Sequence, residues 1–271
     1  MKYSHERPMD FACRFHGIDF QNDRPQTSGY FLDENALVGW DASAPQLRQR
    51  VQRVGGGEFF LPGKLGAKTI TISGGFLAPS KLEAHLMRDK LNAMPLTYSR
   101  LMVEEPGTDE RTNKWAWAAL ASDTPTISRI RGGCNAAWAT FSFQLHLPEP
   151  YKYGRLHSKE MRVGDAGWRP FNAGTVHALP TFRIIGPSSP ITIRIGGLTL
   201  HVDESINAGQ ELVYDAQTET LVHSEYGLVL GSLRGDRISY PTGDNQTLKI
   251  TSRGGKYKTA KVQVEFWETF I

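Results

Sequence analysis

The stretch FNAGTVHALPTFRIIGPSSPITIRI, residues 171–195, decides how this chain is to be read. Asn172-Ala173-Gly174-Thr175 has the composition of a turn. Phe182 and Ile184 then alternate with Thr181 and Arg183, Gly-Pro-Ser-Ser-Pro (186–190) breaks the run, and Ile191, Ile193 and Ile195 alternate with Thr192 and Arg194. A period of two bounded by turn residues predicts a pair of half-buried strands. Neither strand carries an evident nucleophile, metal cluster or phosphate loop.

The same pattern continues to the end of the chain. Leu198, Leu200 and Val202 alternate with Thr199 and His201; Leu212 and Tyr214 precede a turn at Ala216-Gln217-Thr218; Leu248 and Ile250 follow one at 241–245. The last run, TAKVQVEFWE, sets Ala260, Val262, Val264 and Phe266 against Lys261, Gln263 and Glu265. Strands at this frequency, with turns rather than helices between them, predict an antiparallel sandwich over residues 151–271. LPEPYKYG (147–154) precedes it with two prolines and a glycine, the composition of a domain boundary.

Residues 1–150 form the other expected domain. Phe11, Cys13 and Phe15 share one face of a strand, and Ile70 and Ile72 alternate with threonines in another. In the run 136–147, Phe141, Phe143, Leu145 and Leu147 oppose Trp138, Thr140, Ser142, Gln144 and His146. Pro79-Ser80-Lys81-Leu82-Glu83 has the form of a capping box and predicts a helix over about 81–93. Leu82, Leu86, Met87, Leu91 and Met94 are its expected packing face. The segment 21–62 reads as short strands broken by loops. The fold class is therefore mainly β, with one packed helix in the first domain.

Composition limits the function. The formal charge of +3 over 271 residues gives no reason to expect a nucleic-acid or membrane-surface partner. No apolar run approaches the ~18 residues of a spanning helix, and the N-terminus has no secretory h-region, so synthesis in the cytoplasm is expected. Cys13 and Cys134 read as buried thiols rather than a disulfide.

The chemical motifs are weak. GGGEFFLPGKL resembles a phosphate loop, but Gly57 and Gly63 stand one residue too far apart and Leu65 follows Lys64 where a hydroxyl is needed. Arg234-Gly235-Asp236 spells an adhesion tripeptide that is also ordinary turn chemistry, and Asn245-Gln246-Thr247 is a glycosylation sequon. His201 and Asp203 share a strand face, while Glu104-Glu105 and Asp109-Glu110 flank a turn. Trp168, Tyr226 and Tyr240 are the aromatics that could stack on a sugar, with core packing as the plainer reading. No catalytic, cofactor-binding or metal-binding residue is assigned, and no enzyme activity is expected.

The ordered pattern resembles the distal tail protein family of siphophages, the bacteriophages with long non-contractile tails. KTITISGGFLAPSKLEAHLMRDKL is similar to the strand and capped helix of the family's N-terminal domain, and LHLPEPYKYG to the passage between its halves. NAGTVHALPTFRIIG with ITIRIGG is similar to the start of its C-terminal sandwich, and AGQELVYDAQTETLV and ISYPTGDNQTLKI to its later strands. The resemblance implies a homohexameric ring built by residues 1–150 and a galectin-like sandwich in 151–271. It also implies a place at the virion tail tip, between the tail tube protein and a tail hub or tail-associated protein, with a receptor-binding protein as a further partner. No loop here is long enough for the carbohydrate-binding insertions some members carry. A carbohydrate-binding adhesin and a tail-tube subunit are the alternatives.

Overall fold

The computed structural model describes residues 12–22, 25–34, 36–42, 46–47, 50–52, 58–60, 64–104, 113–121, 124–133, 135–243, 246–254 and 260–271. The chain divides into two compact units, Met1–Lys152 with Ile271, and Tyr153–Phe270.

Unit 1 contains β1 (Cys13–Phe15), β2 (Ile18–Gln21), β3 (Gly29–Leu32), β4 (Lys68–Ala78), α1 (Lys81–Asn92), β5 (Ser99–Val103), β6 (Lys114–Leu120) and β7 (Ala137–Leu147). Hydrogen bonding runs β7-β4-β3-β2-β1-β5-β6, and β6 returns to β7 through Ala119↔His146 and Leu120↔Leu145. The sheet is a closed barrel of seven strands. All its pairings are antiparallel except β2 with β3. The expected alternation of β7 holds: Phe141, Phe143, Leu145 and Leu147 are buried, facing Phe20 and Ile72 in one core. Closure brings β4 very near β3. A Cβ added at Gly74 would stand 2.0 Å from the Phe31 carbonyl oxygen, so only glycine permits this approach.

Helix α1 starts where its cap predicts. Ser80 is extended (φ −145°, ψ 161°) and its Oγ accepts from the Glu83 N–H at 3.2 Å. Tyr30 Oη donates to the Met87 carbonyl at 2.9 Å and ties the helix to β3. The packing face differs from the expected one. Ala84, Leu91 and Met94 are buried and Met87 is partly so, whereas Leu82 and Leu86 are 72% and 62% exposed. Residues 84, 87, 91 and 94 recur at steps of three and four and make one stripe; 82 and 86 fall on the opposite side. The small Ala84 takes the contact position because it lets the helix lie close to the barrel.

Unit 2 contains most of β8 (Lys152–Arg162), then β9 (Thr181–Ile185), β10 (Ile191–Ile195), β11 (Leu198–Val202), β12 (Glu211–Asp215), β13 (Thr220–His223), β14 (Gly227–Leu228), β15 (Leu233–Gly235), β16 (Leu248–Ser252) and β17 (Lys261–Phe270). One sheet has the order β8-β17-β9-β12-β13-β14, the other β15-β11-β10-β16. Phe182, Ile184, Val262 and Val264 from the first share a buried core with Ile193, Leu200 and Ile250 from the second. The registers of β9 with β17 and of β10 with β11 and β16 are antiparallel, as the alternation in 171–202 requires.

Candidate functional site

The residues singled out in the sequence are mostly drawn into the architecture. Asn172 is buried. Its Nδ2 donates to the carbonyls of Val176 (3.3 Å), Tyr240 (3.2 Å) and Pro241 (3.4 Å), and its Oδ1 accepts from the Gly174 N–H at 3.0 Å. The turn that opens the 171–195 stretch is thus a clasp between two chain segments.

The three aromatics considered for sugar stacking do not assemble. Tyr240 is fully buried, and Trp168 packs edge-on to it at 6.1 Å within the core that includes Phe266. Burial pushes the Tyr240 hydroxyl pKa far up, and Tyr240 Oη has no hydrogen-bond partner among the described residues. Only Tyr226 is exposed, at 76%, with its ring stacked on His223 at 4.5 Å. A polar groove on the first sheet is lined by Thr181, Arg183, Val213, Gln263 and Glu265, without an aromatic wall. Glu265 there accepts from Ser158 (3.1 Å) and Gln263 (2.7 Å).

His201 and Asp203 also have local partners. His201 Nδ1 and Thr192 Oγ1 are 3.0 Å apart, and Asp203 pairs with Arg234 (3.1 Å) and with Arg253. In the Arg-Gly-Asp sequence, Asp236 Oδ2 accepts from the Thr199 N–H at 2.8 Å. Gly235 has φ 113°, and a Cβ there would meet the Thr199 carbonyl oxygen at 2.3 Å. The tripeptide is an element of β-sheet pairing rather than a presented loop. Among the described residues, no three of His, Cys, Asp and Glu come together as metal ligands. Cys13 is buried and unbridged, its thiol pushed up to about 12 chiefly by desolvation, which makes it a poor nucleophile. Gly57, Gly63, Cys134, Glu105, Asp109, Glu110 and Asn245 lie outside the described residues, as does Phe11.

Two features escaped the sequence reading. In unit 1, Lys68 and Lys152 are both buried beside Trp40. The Lys68 ammonium donates to the Trp40 carbonyl at 2.9 Å, Lys152 Nζ lies 2.9 Å from Asp41 Oδ1, and the two cations stand 5.7 and 5.0 Å from the Trp40 ring centre. Desolvation and then the neighbouring Lys152 charge lower the Lys68 pKa to about 8, against a smaller raising effect of Asp41. In unit 2, Val222, Tyr226, Leu228 and Leu230 are all exposed within nine residues at the end of the first sheet. The signal available for the second was the run Gly227-Leu-Val-Leu-Gly231, which is apolar without alternation.

A fold with these two units has known counterparts. The crystal structure of the SPP1 Dit protein, described as a paradigm of the hub adsorption apparatus in phages infecting Gram-positive hosts, matches 85% of this chain and 90% of its own, with TM-score 0.56 and 14% identity. The fold is that of a siphophage distal tail protein. A chain of the phage p2 baseplate in its activated conformation is also similar, over 83% of this chain and 88% of its own, at TM-score 0.38 and 13% identity. No family model matches the distal-tail-like chain, and no curated protein matches it by sequence.

Proposed function

We propose that the protein is a structural component of a phage tail tip: a distal tail protein that joins the tail tube to the adsorption apparatus. The observation that carries this reading is the extent of the fold match, 85% of this chain and 90% of the SPP1 protein, which takes in both units rather than one. A sandwich alone would say little, because such domains serve many functions. In this reading unit 1 builds a homohexameric ring, and unit 2, with a galectin-like sandwich, takes up partners at the hub. A ring requires a heterologous interface that closes on itself. The exposed Leu82 and Leu86 on α1 offer apolar surface for contacts of this kind. The virion tail is then the protein's place of action, after synthesis in the host cytoplasm.

Negative-stain electron microscopy of purified protein, with light scattering for mass, tests the proposal. The expected result is a sixfold ring of six chain masses that stops at one or two layers. Long stacked tubes would indicate a tail-tube subunit instead. A monomer that joins no ring even when mixed with the tube protein would remove the adaptor reading.

A further inference from the structure

Charge is unevenly spread along unit 2. Residues 166–202 contain no Asp or Glu but three arginines, Arg169, Arg183 and Arg194, and residues 245–264 contain no Asp or Glu but five Lys or Arg. These two stretches supply β10 and β16, neighbours in the second sheet. Ile193, Ile195, Leu248 and Ile250 face the core, so the residues alternating with them face out. The register sets Arg194 directly opposite Lys249, and both are exposed. Opposed residues of an antiparallel pair have Cβ atoms about 4.5–5.5 Å apart, and like charges there repel. Neither side chain forms an ion pair among the described residues.

A third cation stands beside them. Trp168 bridges Leu248, and Arg169 Nε donates to Thr247 Oγ1 at 2.6 Å. A Cβ at Gly167 would lie 2.5 Å from Thr247 Cγ2 and 3.5 Å from Lys249 Cγ, so Thr247 and Lys249 are side-chain neighbours. The nearby carboxylates are engaged: Asp203 with Arg234 and Arg253, and Asp236 Oδ2 with the Thr199 N–H. The outward residues of β10, β11 and β16 are Thr192, Arg194, Thr199, His201, Lys249 and Thr251. A protein partner is held by an apolar centre with aromatic anchors, and nucleic-acid bases by stacking on aromatics. This face offers neither. Arg, Lys and Thr are the side chains that hold phosphate oxygens.

We infer that the outer face of this second sheet binds the phosphate groups of a flexible anionic polymer that carries no bases. One phosphate bridges Arg194 and Lys249 and removes their mutual repulsion, and the next along the polymer meets Arg169. The site belongs to unit 2 alone and does not rest on the function proposed above.

Isothermal titration of the full chain with linear polyphosphate, repeated over a range of salt concentrations, tests it. Binding should saturate, and the logarithm of the association constant should fall against that of salt with a slope of about −2 to −3, as for three charge contacts. Arg194→Gln and Lys249→Gln, both at exposed positions that leave the fold intact, should each weaken binding several-fold and make the slope shallower by about one. Arg183→Gln, an exposed cation on the other sheet, should change neither. Polyglutamate binding as tightly as polyphosphate would assign the face to an acidic protein segment, and duplex DNA binding more tightly would assign it to a nucleic acid; either overturns the inference. So would the lack of saturation by about millimolar polyphosphate, or Arg194→Gln and Lys249→Gln variants with the parent's affinity and slope. Polyphosphate binding by a chain that forms no ring would remove the tail-tip reading and leave this site standing. A ring without polyphosphate binding would do the reverse.

Discussion

The barrel of unit 1 and the sandwich of unit 2 bury similar side chains but treat their strand edges differently. In the barrel, β6 returns to β7 and closes the ring of seven strands, and two short strands, Thr126–Ile127 and Arg131–Gly132, also pair with β7. The outer face of α1, with Leu82 and Leu86 exposed, offers unit 1 a side-chain surface for association. In the sandwich, the first sheet stops, among the described residues, at the two-residue strand β14 beside the exposed Val222, Leu228 and Leu230. An open edge invites another strand, and natural proteins usually cover or charge it. The comparison teaches a difference that neither unit's core discloses: one sheet closes on itself, and the other ends, among the described residues, at a short apolar edge.

The largest expected effect comes from attacking the closure. Gly74→Val places a branched side chain where the Phe31 carbonyl already stands 2.0 Å from a Cβ, so unit 1 should lose more than about 4 kcal/mol and fail to fold. Limited proteolysis should digest unit 1 while a fragment near Tyr153–Phe270 persists; equal loss of both units would mean that the two bodies do not fold independently.

The next concerns charge inside unit 1. The Lys68 pKa falls from the ordinary 10.5 to about 8 on folding, so between these values the unfolded chain holds more protons than the folded one. Stability from this group therefore rises as pH increases from about 8 to 10.5, and below pH 8 the full penalty, on the order of 3 kcal/mol, is present. The difference in unfolding free energy between the parent and Lys68→Met, followed by denaturant titration across this window, should shrink with rising pH. A difference that does not change with pH would show that Lys68 is not held at a lowered pKa.

In unit 2, Asn172→Ala takes the side-chain partner from the Val176 carbonyl and the Gly174 N–H, while the Tyr240 carbonyl keeps the Ala178 N–H at 2.9 Å. The cost should be about 2 kcal/mol, read as a lower melting temperature of the sandwich with that of the barrel unchanged. The smallest effect is expected at the helix cap. Ser80→Ala should cost about 1 kcal/mol and lower the melting temperature of unit 1 without altering its oligomeric state; a change in assembly instead would place the helix start in an interface.

Legibility followed the range of the interaction. The buried sides of β7, β9, β10 and β17 could be read directly, because a strand with one face in the core must alternate. The helix start was readable because its cap lies within four residues. Its packing face was not, since the leucines at 82 and 86 outweigh Ala84 by hydrophobicity and only the neighbouring strands favour the smaller side chain. Trp168 and Tyr240 could not be told from a sugar platform, because an aromatic in a core and one on a surface are the same residue to local pattern. Lys68 and Lys152 carry no local signal of burial; only the fold brings their ammonium groups to 5.7 and 5.0 Å from the ring centre of the same tryptophan.

The sequence by itself determined that this is a mainly β chain with one capped helix and with paired strands through its C-terminal part, since periodicity, turn residues and caps act over a few positions. Only the tertiary structure decided that the first sheet closes on itself and that the last one stays open at an apolar edge. Neither outcome is written in local periodicity: closure requires Ala119 of β6 to meet His146 of β7, and the open edge follows from there being, among the described residues, no strand beyond β14.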